Sequence, residues 1–236
     1  MTRSALLCTL VALLALIAAA PASAEERGFE SLFDGKTLKG WKAADPSYWS
    51  VDDGAITAKI SKEHPCDVNQ YLVWQGGELN DFELKLAFRM KSDADVNGGF
   101  QFRSRELPDH DVAGYQVDND TRGGWLVRLY DEHGRHTLAL RGQRAEIATD
   151  GKITHTEIPD AAGKPEFRLD DWHEYHLICR GPKLTLSVNG KLMAEVTDND
   201  PKQRDLSGIL ALQLHSGPPM TVQFKNIRLK KLRKEK

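Results

Sequence analysis

WHEYHLICRGPKLTLSVNGKLMAEVTD, residues 172–198, decides the fold class. YHLIC, KLTLSV and KLMAEV are short runs of strand character, the densest hairpin array in the chain. Asn189-Gly190 joins the last two as a two-residue hairpin turn. Working outward, DFELKLAFRM at 81–90 alternates cleanly. Phe82, Leu84, Leu86, Phe88 and Met90 share one face, and Glu83, Lys85 and Arg89 the other, which predicts a half-buried strand. GILALQLHSGPPMTVQFKNIRLKKL at 208–232 gives two more strands. In the first of them Leu210, Leu212 and Leu214 oppose Ala211, Gln213 and His215.

Nearer the start, Asp34-Gly35 and Asp53-Gly54 are turn dipeptides. Residues 48–51 and 55–58 read as a hairpin around the second of these, and YLVW at 71–74 as a further strand. Residues 144–169 are mixed and turn-rich, and no amphipathic helix is predicted beyond the first 24 residues. Many short strands at regular spacing predict an all-β, antiparallel jelly-roll sandwich.

Residues 1–24 stand apart. Arg3 precedes an almost wholly apolar run from Ala5 to Ala20, and Ala22-Ser23-Ala24 is a small-x-small cleavage site. This is the pattern of a secretory signal peptide, with a secreted or periplasmic product and no membrane association after cleavage. Cys8 lies too early in the apolar run for a lipoprotein cleavage box. The remainder, 25–236, is the length of one domain. The chain carries 32 Lys+Arg against 34 Asp+Glu, a balance that gives no reason to expect nucleic acid. The basic run at 230–234 reads as a solvated tail. Cys66 and Cys179 could pair in an exported chain, but a core strand and a polar loop favour two free thiols.

Polar residues accumulate in NGGFQFRSRELPDHDVAGYQVDND, residues 97–120. Strict alternation puts Gln101, Arg103 and Arg105 opposite Phe100 and Phe102. In the next run it puts Gln116, Asp118 and Asp120 opposite Tyr115 and Val117. Tyr130 and Glu132 follow on a third strand, with His133 and Arg135 just beyond, and Gln213 and His215 on a late strand. Amides, guanidinium groups and carboxylates on one face suit a hydroxyl-rich ligand, because they donate and accept hydrogen bonds in fixed planes. With His they can also form an acid/base site.

Blander roles compete. Arg103 could pair with Asp118 across neighbouring strands, His133 reads as turn chemistry, His215 as one of a satisfied polar pair, and the tryptophans as core anchors. The histidines show no metal-ligand spacing. No G-x-S-x-G elbow, phosphate loop, dinucleotide fingerprint or E-x-D-x-x-E strand occurs. A plain two-carboxylate glycosidase is therefore disfavoured.

FESLFDGKTLKGW, NGGFQFRS, AGYQV-D, LYDEHGR, the W-x-E-Y strand with its NG turn, and GILALQLHSG followed by FKNIRLK resemble the 3-keto-disaccharide hydrolase family. That family is also described as 3-keto-glucoside 1,2-lyase / 3-keto-2-hydroxyglucal hydratase. The resemblance spans nearly all of 25–236. It implies a concanavalin A-like (lectin/glucanase) jelly roll and an oligosaccharide or glycoside substrate. One strand departs from the family pattern: at Gly114-Tyr115-Gln116-Val117-Asp118 a carboxylate is replaced or displaced.

The implied reaction starts from a ketone at sugar C3, which acidifies the C2 proton. A base removes it, the C1 oxygen leaves by β-elimination, and water adds back. Such a site needs a base, an acid, and positive charge or a divalent metal at the enolate oxygen. Through the resemblance, the base and acid roles are expected of Glu132 or His215, and Arg103 and Arg135 are the enolate or hydroxyl partners. Gln101, Arg105, Gln116, Asp118, Tyr130 and Gln213 are expected to orient the sugar. A non-catalytic glycan-binding module and a glycosidase acting on unoxidised glucans are the two rival functions.

Overall fold

The computed structural model describes residues 26–122, 126–159 and 168–233. The proposed signal peptide, Trp125, part of the turn-rich stretch and the end of the basic tail lie outside these residues. In chain order the strands begin with β1 (Glu30–Ser31), β2 (Trp41–Ala43), β3 (Trp49–Asp52), β4 (Ala55–Ile60), β5 (Gln70–Trp74) and β6 (Phe82–Lys91). There follow β7 (Asn97–Glu106), β8 (Val112–Asp120), β9 (Leu126–Glu132), β10 (His136–Ala139), β11 (Gln143–Ile147) and β12 (Ile153–Glu157). The last are β13 (His173–Arg180), β14 (Lys183–Val188), β15 (Lys191–Asp198), β16 (Ile209–Leu214) and β17 (Met220–Lys231). The one helical piece among the described residues is a 3-10 turn, Pro46–Tyr48, which takes Tyr48 out of the expected first hairpin.

The strands form two sheets, as a concanavalin A-like sandwich requires. One runs β12-β11-β15-β14-β13-β6-β17-β4-β3, with β1 added beside β17. The other runs β10-β9-β8-β7-β16-β5-β2. Pairing is antiparallel except between β11 and β15. The turn-rich stretch thus supplies β11 and the edge strand β12, whose short length hid them in the sequence. At the predicted hairpin turn Asn189 and Gly190 take φ of +50° and +75°, both left-handed, which a type I′ turn demands.

The core lies between the sheets. Phe82, Leu84, Leu86, Phe88 and Met90 point into it from β6, as the alternation predicts, and all are nearly inaccessible. They meet Phe100, Phe102, Tyr115 and Val117 from the facing sheet. Phe88 packs edge-on against Tyr175 at 5.7 Å and Phe224 at 5.3 Å between ring centres. The Tyr175 hydroxyl, fully buried on β13, donates to Asn119 Oδ1 across the sandwich at 2.7 Å. Each such ring contributes about 1.5–3 kcal/mol through burial, and the buried hydroxyl keeps a partner.

Cys66 and Cys179 are unpaired and buried. Burial raises both thiols, that of Cys179 to about 12. Only the thiolate reacts. A disulfide-exchange reagent at pH 8 is therefore expected to label neither cysteine within minutes in the native protein, and both in denaturant. Rapid uptake of one equivalent under native conditions would contradict this burial.

Candidate active site

The site is the outer face of the seven-stranded sheet. Strand register lays its residues in rows. One row runs Tyr71, Gln213, Gly99, Asp118, Arg128 across β5, β16, β7, β8 and β9. The next runs Val73, Ala211, Gln101, Gln116, Tyr130. Beyond it Gly114 stands opposite Glu132. The alternation that buries Phe100, Val117 and Leu212 on the inner face is what brings these polar residues together on the outer one.

The floor of this face is an amide chain. Gln116 Nε2 donates to Gln213 Oε1 at 2.7 Å, and Gln213 Nε2 donates to the Tyr71 hydroxyl at 3.3 Å. Gly99 gives it the room, since it is the residue of β7 that separates Gln213 from Asp118. Arg128 grips Asp118 Oδ2 through Nε at 2.6 Å and Nη2 at 2.5 Å, and its guanidinium lies 4.6 Å over the Tyr130 ring. Burial holds the Asp118 carboxyl above its usual range against the pull of Arg128. Two buried atoms of the floor have no protein partner, Gln101 Nε2 and Asp118 Oδ1. One is a donor and the other an acceptor, and both are enclosed by the protein.

Glu132 and His215 stand at opposite ends of this face, beyond its second and first rows respectively, both partly exposed. Burial raises the Glu132 carboxyl, and Asp111 and Asp118 push the same way against His133 and His215. No protein group hydrogen-bonds the Glu132 carboxyl among the described residues. The His215 ring is near enough to act through space on both Glu132 and Asp118. Its Nδ1 lies 2.7 Å from the Ser216 carbonyl, which can only accept, so Nδ1 carries hydrogen and Nε2 is the free ring atom. A carboxylate and an oriented imidazole that reach the same face from its two ends are a candidate base and acid.

Arg105 reaches the same region. It lines a cavity of about 230 Å³ together with Gly114, Glu132, His133 and Asp205. Tyr130 sits at the rim, its hydroxyl 3.0 Å from His136 Nδ1.

Two expected members are elsewhere. Arg103 does not share the face with Gln101. Phe102 pairs with Tyr115 and Arg105 with Ala113, so Arg103 and Ser104 both oppose Gly114 in a bulge. Gly114, at φ +127°, cannot be anything larger: a Cβ there would lie 2.8 Å from Ser104 Cα. The bulge breaks the period of two, and Arg103, at φ +47°, turns away into the protein. Its Nε and Nη1 each donate at 2.7 Å to the carbonyls of Asn80 and Gly181, and Nη2 pairs with Asp81 at 3.0 Å. Its expected pairing with Asp118 is taken by Arg128.

Arg135 is also spoken for. It closes the β9–β10 turn by binding Asp131 at 2.9 Å and reaches Asp198 on β15 at 2.6 Å, where the Tyr115 hydroxyl also donates. Both arginines are therefore fasteners between elements. Conversely, Arg128 and Tyr71 belong to the face and were missed. Alternation along LVRLYDE already placed Arg128 beside Tyr130 and Glu132. Nothing in YLVW pointed to Tyr71.

The donor set does not fit a divalent metal. Among the described residues no three His, Cys, Asp or Glu side chains converge, and the Asp118 carboxylate is held by Arg128. No step is therefore routed through a metal.

Solved structures share the architecture. A candidate glycosyl hydrolase from Parabacteroides distasonis superposes with a TM-score of 0.58 at 19% identity, covering 87% of this chain and 94% of its own. A carbohydrate-binding module of Bacillus subtilis gives 0.55 at 14%, covering 81% and 96%. A Bacillus subtilis protein of unknown function with a galectin-like fold gives 0.57 at 13%, covering 84% and 92%. At such identities the likeness is one of fold. No curated protein matches the sequence. A family model does match, over residues 28–230, which spans the whole sandwich with its polar face. The chain belongs to the 3-keto-alpha-glucoside-1,2-lyase-like domain family, and its activity is a carbohydrate-directed one.

Proposed function

We propose that this is an exported enzyme that cleaves 3-keto-glycosides by enolate chemistry. The observation that carries the reading is Glu132: an unpartnered carboxyl, raised by burial, at the end of a polar face whose floor keeps an unpaired buried donor and acceptor. Glu132 removes the C2 proton. Electrons flow toward the C3 ketone, and the protonated His215 ring donates from Nε2 to the oxygen that gains charge. The C1–O bond then breaks, leaving a C1=C2 double bond conjugated to the ketone. Water adds at C1 and Glu132 returns the proton to C2. With Arg103 and Arg135 committed elsewhere, the enolate oxygen is assigned to His215. Gln101 and Asp118 bind sugar hydroxyls, Gln116 and Gln213 hold the floor, and Tyr130 and Arg105 flank the ring. Export rests on the pattern of residues 1–24.

The test is incubation of the mature protein with a 3-keto-glucoside and with its unoxidised parent, followed by NMR. Turnover confined to the keto-sugar is expected. Equal cleavage of the parent would make it an ordinary glycosidase, and line broadening with no product a binding module. A second expectation concerns His215→Ala. It is expected to lower kcat by about 10²-fold or more, the scale of a lost general acid, with KM changed far less. An unchanged kcat would remove His215 from the chemistry.

A further inference from the structure

The assignment above leaves the departing oxygen without an acid. The cavity beside Glu132 contains an unassigned acid–base pair. His133 follows Glu132 directly, in the β9–β10 turn, and lines the same cavity. Its Nε2 lies 2.8 Å from Asp111 Oδ2, a contact made across 22 residues from the β7–β8 tip. Asp111 Oδ1 is tied by its neighbour's amide, Val112 N, at 2.8 Å. Val112 in turn packs on Tyr71, Val73 and Ala211, so the tip is folded back onto the outer face and anchored there.

The residue also sits in an unusual backbone state, since His133 has φ +57°. A non-glycine residue in that region is uncommon, and it persists where surrounding structure enforces it. Here the effect is to aim the ring at Asp111. A carboxylate accepting from Nε2 leaves Nδ1 to exchange a proton. Turn chemistry alone would not need a carboxylate delivered from the entry of the neighbouring strand β8.

We propose that His133, held by Asp111, is the proton-transfer residue for the glycosidic oxygen, and that Asp111 is its positioning residue. The proposal rests on the enolate reading of the site. As Glu132 takes the C2 proton and the C1–O bond breaks, its electron pair goes to the leaving oxygen. That oxygen takes a proton from Nδ1 of the imidazolium. In the second half, neutral His133 accepts a proton from the water that attacks C1, while Glu132 returns its proton to C2. The net change is one water consumed, one alcohol released, and both residues restored.

Leaving-group dependence tests this. A poor leaving group needs the acid and a good one does not. On an alkyl 3-keto-glucoside, His133→Ala is expected to lose about 10²–10³-fold in kcat, within the range for general acid catalysis. On a 4-nitrophenyl 3-keto-glucoside the loss is expected to stay within a few-fold. Asp111→Asn is expected to repeat the pattern at smaller amplitude, and two-bond ¹H–¹⁵N spectra to show His133 losing its fixed Nε2–H tautomer. C2–H exchange in D2O is expected to persist in both variants, because Glu132 is intact. Equal losses on the two substrates with exchange intact would overturn the His133 assignment and leave the enolate reading standing. Absence of exchange in the unaltered protein would overturn the enolate reading, and this proposal with it.

Discussion

Replacing Glu132 by glutamine is expected to lower kcat on a 3-keto-glucoside by about 10²–10⁴-fold, with KM little changed. The amide keeps the shape of the carboxyl but cannot accept the C2 proton. The pH dependence follows from the same group. Burial raises the Glu132 carboxyl above its ordinary value of about 4.3, and the base works only when ionised. The acidic limb of kcat/KM in the unaltered enzyme should therefore lie above the usual glutamate range and disappear in Glu132→Gln.

The stability effect has the opposite sign to the activity effect. The folded state holds this proton more tightly than the unfolded chain does. Stability therefore falls as pH rises from the unfolded carboxyl's value through the raised folded one. Glu132→Gln removes that penalty, so the inactive variant should melt slightly higher at neutral pH. A variant that is both active and unchanged in melting temperature would show that Glu132 is an ordinary rim residue.

The second large effect is structural. Arg103→Met is expected to cost about 3–5 kcal/mol in urea unfolding, the penalty for breaking a buried ion pair from one side. The carbonyls of Asn80 and Gly181 would lose this donor, and Asp81 would keep only the Gly181 N–H. That is a large share of the total stability of a domain, roughly 5–15 kcal/mol. The folded fraction should keep its activity to within a few-fold. A loss of 10²-fold in kcat with an unchanged urea midpoint would put Arg103 back into the chemistry.

The same arginine shows where reading the sequence reaches its limit. Period-two alternation fixed which of Phe100, Gln101 and Phe102 faced the core. It failed one residue later, because a bulge is set by pairing on both sides of β7, and pairing is not visible along a single strand. Gly114 was the local trace of it, a glycine opposite two residues. Arg135 failed for a different reason. Its partners Asp131 and Asp198 are four and sixty-three residues away, and only the fold brings the second into reach.

By contrast, Gln101, Gln116, Asp118, Glu132 and Gln213 could be placed on one face from the strand period alone. β11 and β12 were too short and too polar to declare themselves. The Asp111–His133 contact lay between two loops, where no periodicity operates.

The most direct test of the central claim, that Glu132 abstracts the C2 proton of a 3-keto-sugar, is deuterium exchange followed by ¹H NMR. The mature protein and its Glu132→Gln variant would be incubated with a 3-keto-glucoside in D2O. The expected result is loss of the C2–H signal with the unaltered protein, at least as fast as cleavage, and its retention with the variant. Cleavage that leaves hydrogen at C2, or exchange that survives in Glu132→Gln, would contradict it.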